Sequence, residues 1–344
     1  MNLKQITTVP VSETEWITDL NEFKYSIYIA PEWIEAMQNS KSKAIYINFV
    51  LDGIIVGKVS GLVIYCSKRK GKQLYFYASP ALKEHEQDLY DYCHDSLYKY
   101  AKKNKYSRIV LASYDQQHGL ICNAKRFYLT KRYEYVVNLE SDIKFKKSFK
   151  WNVRRAEKYD IQYSQNNDDT TLNRLFELLD VTKQHRISKY GLDYNPLFLN
   201  NLTTESLKRL IDIGMAKMYS VSFENEIQIV LYSIEKDGRI YGLLLGSTKK
   251  SYEMGLSAFI VSKIITNAKE KGYCYYNHGG TTVDETGTGL EQFKLSMGAD
   301  KYTIFGTTTN FIVFPYKLLN PLLNLGRQLP RNNPIVTYLK EKFC

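Results

Sequence analysis

Two short segments hold the residue types best suited to chemistry. They are Tyr276-Asn277-His278-Gly279-Gly280-Thr281-Thr282 and, a few residues on, Gly289-Leu290-Glu291-Gln292-Phe293-Lys294. The first sets an imidazole beside paired glycines, and the second sets a lysine behind an aromatic ring. An imidazole titrates near neutral pH, so His278 is a candidate general base for a proton leaving an attacking amine or hydroxyl. A glycine turn after a strand explains the first segment equally well. Asp284, Glu285 and Glu291 are acidic neighbours able to orient an acceptor amine. His85, His94, His118 and His185 lack metal-ligand spacing, so no metal is expected.

The flanking sequence says what must position these residues. Residues 257–271 read as a helix, with Ala258, Val261, Ile264, Ile265 and Ala268 at offsets of three and four and Gly272 past the end. Residues 273–277 read as a short aromatic strand running into the glycines, the kind of strand end at which α/β crevices lie. Upstream, 44–51 and 54–65 read as a hairpin about Asp52-Gly53, 74–78 as a strand, 84–103 as a helix and 108–112 as a strand. The order recurs in strands 216–223, 227–235 and 240–246, the 257–271 helix and the strand after it. The expected fold class is therefore α/β (α+β). It has two similar tandem domains, each a mixed, mostly antiparallel sheet flanked by helices. The expected divisions are 1–140, 141–310 with the active cleft, and a helical tail over 311–344.

Composition bounds the function. The chain of 344 residues is long enough for two domains, and 44% hydrophobic with 24% charged residues describes a folded protein. A net charge of +11 and a pI near 9.1 favour an anionic partner: a phosphate-bearing donor or acceptor, RNA such as tRNA, or an acidic membrane surface. The 29 tyrosines are mainly a compositional bias, although exposed ones suit stacking on sugars or bases. Cys66, Cys93, Cys122, Cys274 and Cys344 are scattered and lack CxxC spacing, which favours a reducing cytoplasm over a disulfide framework. No window approaches 18 apolar residues, so a soluble or membrane-peripheral protein is expected.

The densest charge lies at the expected domain boundary. Lys144, Lys146, Lys147, Lys150, Arg154, Arg155 and Lys158 share one predicted helix, capped by Ser141 or Asp142, whose Phe149 and Val153 form an apolar stripe with Phe145. A solvated helix face is the plainer reading. The functional one is a phosphate-gripping wall of an interdomain cleft. Arg154 and Arg155 are its best candidates, because a guanidinium holds phosphate in a fork.

With these segments in hand, the chain resembles the Fem-type branch of the GNAT acyltransferase superfamily, which includes the peptidoglycan-bridge aminoacyltransferases. The resemblance rests on Asn152-Val153-Arg154-Arg155-Ala156, His278-Gly279-Gly280-Thr281 and Gly289-Leu290-x-x-Phe293-Lys294 before Gly298-Ala299. Ala30-Pro31-Glu32-Trp33-Ile34 is similar to the family's N-terminal helix start. It implies tandem GNAT-like domains that move an acyl or aminoacyl group to an amine or hydroxyl of a cell-envelope precursor or saccharide. It also implies that Lys294 polarises the reacting carbonyl or stabilises its oxyanion, and that Phe293 shapes the pocket. Gly279, Gly280, Thr281, Arg154, Arg155 and Trp33 are the accompanying substrate-binding candidates.

Two features depart from the family pattern. Met37 stands where bridge-forming relatives carry a lysine for the acceptor's diphosphate. The turn Tyr252-Glu253-Met254-Gly255-Leu256-Ser257-Ala258 keeps one glycine of the CoA pyrophosphate loop. Acyl-CoA and aminoacyl-tRNA both remain open as donor. The rival reading is a non-catalytic, basic, tyrosine-rich module that binds glycan or nucleic acid. The apolar stretch 311–325, broken by Pro315 and Pro321, is expected to pack on the second domain, with docking on an anionic membrane as the alternative.

Overall fold

The computed structural model describes residues 6–66, 71–190, 195–281 and 288–329. The chain opens with β1 (Thr7–Val11), α1 (Glu13–Ile17) and α2 (Pro31–Met37). Strands β2 (Ser42–Leu51), β3 (Ile54–Tyr65), β4 (Lys72–Phe76) and β5 (Ala81–Leu82) lead into α3 (Gln87–Lys103) and β6 (Arg108–Leu111). After β7 (Phe127–Asn138) come α4 (Lys147–Ala156), β8 (Ile161–Gln165), α5 (Asp169–Tyr190) and α6 (Thr204–Asp212). Strands β9 (Ala216–Phe223), β10 (Glu226–Lys236) and β11 (Arg239–Ser247) precede α7 (Lys249–Met254) and α8 (Leu256–Glu270). Next are β12 (Tyr275–Thr281), α9 (Thr288–Ser296), β13 (Asp300–Thr309) and α10 (Asn320–Gln328).

Contacts divide the chain into Met1–Lys131 with Ile304–Cys344, and Arg132–Thr303. The chain leaves the first unit within β7 and re-enters it within β13, so the three-part division expected from sequence has different bounds here. Residues 311–328 pack on the first unit rather than the second. Ile312 N–H donates to Ser107 O at 2.7 Å, Phe311 and Ile312 are buried, and the Tyr316 ring lies where a side chain at Gly71 would stand. The expectation failed because the apolar run says only that one face is buried, and the chain's return through β13 decides against what.

Both units repeat one plan. In the first the strand order is β1-β2-β3-β4-β6-β13, with β5 on β3, and every pairing is antiparallel except β4 with β6. In the second the order is β7-β12-β11-β10-β9-β8, antiparallel except β11 with β12. A parallel step requires a crossover, which α3 and α7–α8 supply. The fold class is the expected one, α/β with mixed, mostly antiparallel sheets flanked by helices.

The second unit's core forms around α8. Its Leu256, Ala258, Phe259, Ile260, Val261, Ile264, Ile265 and Ala268 are buried with Tyr135, Val137, Val221, Ile229, Leu231 and Ile240. Each fully buried branched side chain contributes roughly 1.5–3 kcal/mol. Helix α4 starts at Lys147 with Lys146 as N-cap and no side-chain cap bond, so the cap expected at Ser141 or Asp142 does not form. Many tyrosines are core residues: Tyr28, Tyr77, Tyr90, Tyr135, Tyr232 and Tyr276 are fully buried.

The first unit also buries histidines. The His94 Nδ1 lies 2.8 Å from Tyr90 O, its Nε2 is enclosed without a partner, and burial lowers its pKa to about 4. Burial, then the positive charge of His85 and His94, lowers His118 to about 4 as well. The unfolded chain takes up these protons near pH 6.5 and the folded chain only near 4, so stability falls as pH drops between those values. For His94 alone the loss reaches about 3 kcal/mol. Urea unfolding at pH 7 and pH 4.5 is expected to show this loss, and His94→Asn, which keeps a donor for Tyr90 O but does not titrate, to reduce it.

Candidate active site

The paired glycines sit at a β-bulge at the edge of a divergence between two strands. Strands β11 and β12 pair in parallel from Arg239/Tyr275 to Tyr241/Asn277. Among the described residues their pairing ends there, although β11 runs on to Ser247 and β12 to Thr281. On its other side β12 pairs with β7, and the register slips between Asn277 and Gly280. A bulge adds a residue, bends the strand and re-aims its side chains. Gly279 takes φ +65°, and a Cβ there would lie 2.9 Å from the Tyr241 hydroxyl, so the bulge needs glycine at this position.

Side chains hold this bulge from two directions. Lys294, on α9, is buried, and its Nζ donates to His278 O at 2.7 Å, Gly279 O at 3.0 Å and Gly280 O at 2.9 Å. Asn277 accepts from Gly279 N–H at 2.8 Å through Oδ1 and donates from Nδ2 to Glu134 at 3.0 Å. Glu134 is itself fully buried and accepts from Arg132 at 3.2 Å. Burial lowers the Lys294 ammonium to about 7, and the Glu134 charge works against that. The three carbonyls oppose it further, because only the protonated amine offers three donors.

His278 lies between these supports. Its ring meets Tyr276 edge-on with centroids 4.2 Å apart, and its Nε2 is enclosed with no hydrogen-bond partner. Burial, then the neighbouring Lys294 charge, holds its pKa well below the usual 6.5, so the imidazole is neutral at physiological pH. The Tyr276 hydroxyl is also enclosed and unpaired, beside Gly242 of β11. Two buried polar atoms thus lack a partner where the strands part.

The structure therefore brings together Lys294, His278, Gly279 and Gly280. Phe293 is partly buried against the core, 6.3 Å from Phe149. The side chain of Thr281 lies outside the described residues, as do Asp284 and Glu285. Glu291 is paired with Lys301 at 2.6 Å. Arg154 is exposed at the end of α4. Arg155 stacks on Trp151 at 4.6 Å and donates to Asn152 and to Tyr252 O, with its Nε enclosed and unpaired. It packs against Gly255, the left-handed joint between α7 and α8, and so flanks the α8 N-terminus.

Trp33 lies in the first unit, fully buried in an aromatic cluster 4.6 Å from Tyr28 and 5.4 Å from Tyr77. Met37 is buried beside it on the same helix. Sequence reasoning missed Asn277, Glu134 and Arg132. The signal available was an asparagine two residues before a glycine, a spacing at which an Asx side chain reaches backbone N–H. Among the described residues no group of three or more His, Cys, Asp or Glu could hold a metal.

The comparisons bear on the fold. No family model matches the chain, and no curated protein is similar to it in sequence. The crystal structure of FemX superposes over 92% of this chain and 99% of its own, with a TM-score of 0.65 at 14% identity. This chain has the FemX fold. The resemblance to the Fem-type branch of the GNAT acyltransferases, drawn from short motifs, thus holds at the level of architecture. A conserved protein of unknown function from Bacteroides thetaiotaomicron shares this fold at a TM-score of 0.57 and 12% identity, over 89% of this chain and 99% of that one.

Within this FemX-like fold the bulge makes a quantitative demand. Gly272 has φ +73° with nothing within 4 Å of where a Cβ would stand, whereas Gly279 combines φ +65° with the Tyr241 contact. Gly272→Ala is expected to cost about 1 kcal/mol from backbone strain alone, and Gly279→Ala roughly 2–3 kcal/mol. Denaturant unfolding of the two variants checks the difference.

Proposed function

We propose that the protein is an acyltransferase whose reaction takes place where β11 and β12 part. The observation that carries this is the enclosed, unpaired Nε2 of His278 on a bulge at the open end of a parallel strand pair. Parallel strands of α/β sheets bind ligands beyond their carboxyl ends, and the FemX-like fold supports acyl transfer as the chemistry. The donor is an acyl-CoA or an aminoacyl-tRNA. The acceptor is an amine or hydroxyl of a cell-envelope precursor or saccharide.

In this mechanism the acceptor nitrogen or oxygen attacks the donor's acyl carbon. His278, in its Nδ1–H tautomer, takes the acceptor's proton on Nε2 once the acceptor displaces the groups that enclose that atom. The carbonyl oxygen becomes an oxyanion, and the electrostatic field of the Lys294 ammonium favours it. Collapse of the tetrahedral intermediate breaks the bond to the CoA sulfur or the tRNA ribose oxygen, which leaves with the proton. Arg155, Trp151 and the α8 N-terminus form the side where an anionic donor is held, since a guanidinium, an aromatic face and free helix N–H groups all suit phosphate and base. The net charge of +11 favours such donors at long range. No described helix is long and apolar enough to cross a membrane. A cytoplasmic enzyme, active in solution or at the membrane surface, fits the proposed donors.

Titration with acetyl-CoA and with aminoacyl-tRNA separates the donors, because only tRNA binding weakens steeply as salt rises. His278→Ala is expected to reduce turnover about a hundredfold or more while leaving donor affinity in place. The base acts when neutral and the Lys294 ammonium when charged, so activity is expected to hold as pH falls to 6.5 and to decline as pH rises past about 7. If neither donor binds, while a glycan or RNA binds equally to parent and His278→Ala, the chain is a binding module instead.

A further inference from the structure

The Lys294 ammonium has three N–H bonds, and three bulge carbonyls accept them at 2.7–3.0 Å. No donor is left for an oxyanion unless one of these bonds breaks. The first unit shows that the chain uses buried lysines in this way: Lys58 donates to Trp16 O at 2.7 Å and Thr18 O at 2.6 Å. On the bulge's other polar group, Asn277 takes Gly279 N–H and passes the constraint to the buried Glu134. The N–H of residue 279 and the carbonyls of 278, 279 and 280 are thus bound by side chains from β12 and α9, and Glu134 of β7 braces Asn277.

We infer that Lys294, Asn277 and Glu134 are positioning residues that fix the 278–280 bulge in one conformation and thereby hold the His278 imidazole with its Nε2 unpaired. The contacts define the device. Its catalytic meaning rests on the acyl-transfer reading of the site. A buried ammonium surrounded by three carbonyls works as a tripod, and a planar guanidinium cannot replace it, because its donors lie in one plane and fan outward. Lys294 therefore acts on the reaction through the shape of the bulge and its charge, and direct donation to the oxyanion is not its part.

The test needs neither donor nor acceptor, so it can fail independently of the proposed function. Amide exchange at Gly279 and Gly280, in protein with labelled glycine, and the titration of His278, followed by proton NMR, are measured in Asn277→Ala, Lys294→Met and Lys294→Arg. Each variant is first checked for folding by circular dichroism. Asn277→Ala removes no charge, so a change in the His278 titration there reports position alone.

The expected result is at least tenfold faster exchange at Gly279 in all three variants. In Asn277→Ala the His278 pKa is expected to rise toward 6.5 as the bulge opens. Parent-like exchange and titration in Asn277→Ala overturns the inference. Parent-like exchange in Lys294→Arg overturns the tripod role. Should Asn277→Ala fail to fold, Glu134→Met is used instead. It removes the acceptor for Asn277 Nδ2, and parent-like exchange in it counts against the inference in the same way.

Discussion

The second unit depends on how a strand break is hydrogen-bonded. A bulge that leaves its partner strand strands backbone N–H and C=O groups inside the protein, and each such group left unpaired costs free energy comparable to a lost hydrogen bond. Here a lysine takes three carbonyls and an asparagine takes the N–H of Gly279. Because the backbone is satisfied from the side, β12 can leave β11 after Tyr241/Asn277, and a site can exist between them.

The first unit shows the same topology without that break. Its parallel pair β4 and β6 stays joined past the strand ends: Ala112 N–H donates to Phe76 O and Tyr114 N–H to Tyr77 O, both at 2.8 Å. Beyond them Ser79 and Ser113 share a hydroxyl hydrogen bond, and Gln116 closes on both backbone groups of Ser79. Aromatic rings of Tyr28, Trp33 and Tyr77 fill the space around this seam. The two units thus share one plan and differ here, the first zipped and packed, the second parted after Tyr241/Asn277 among the described residues. Trp33, whose motif resembles a family helix start, belongs to the zipped copy.

Much of the fold was legible because it is local. The strands of both hairpins, the 87–103 helix and the apolar spacing of α8 follow from periodicity and turn residues, and they appear within a few positions of where those signals put them. Strand β7 was not legible. Its sequence carries Arg132 and Glu134 in the interior, and their ion pair at 3.2 Å, with the Asn277 hydrogen bond at 3.0 Å, makes burial of the glutamate tolerable. Helix α4 kept its apolar Phe149 and its basic face but began later than expected, since a cap depends on where the preceding chain runs.

The candidate site divides along the same line. Residue types and short spacing alone marked His278, the paired glycines and Lys294 as the place where chemistry could occur. They could not say what Lys294 touches, because its three acceptors lie 14 to 16 residues away and meet it only when α9 docks under β12. Nor could they reveal Glu134, which is 143 residues from Asn277. The sequence determined which groups were available and what elements would carry them. Tertiary structure decided which donors were already spent and which nitrogen was left bare, since hydrogen-bond partners of buried groups are set by long-range packing.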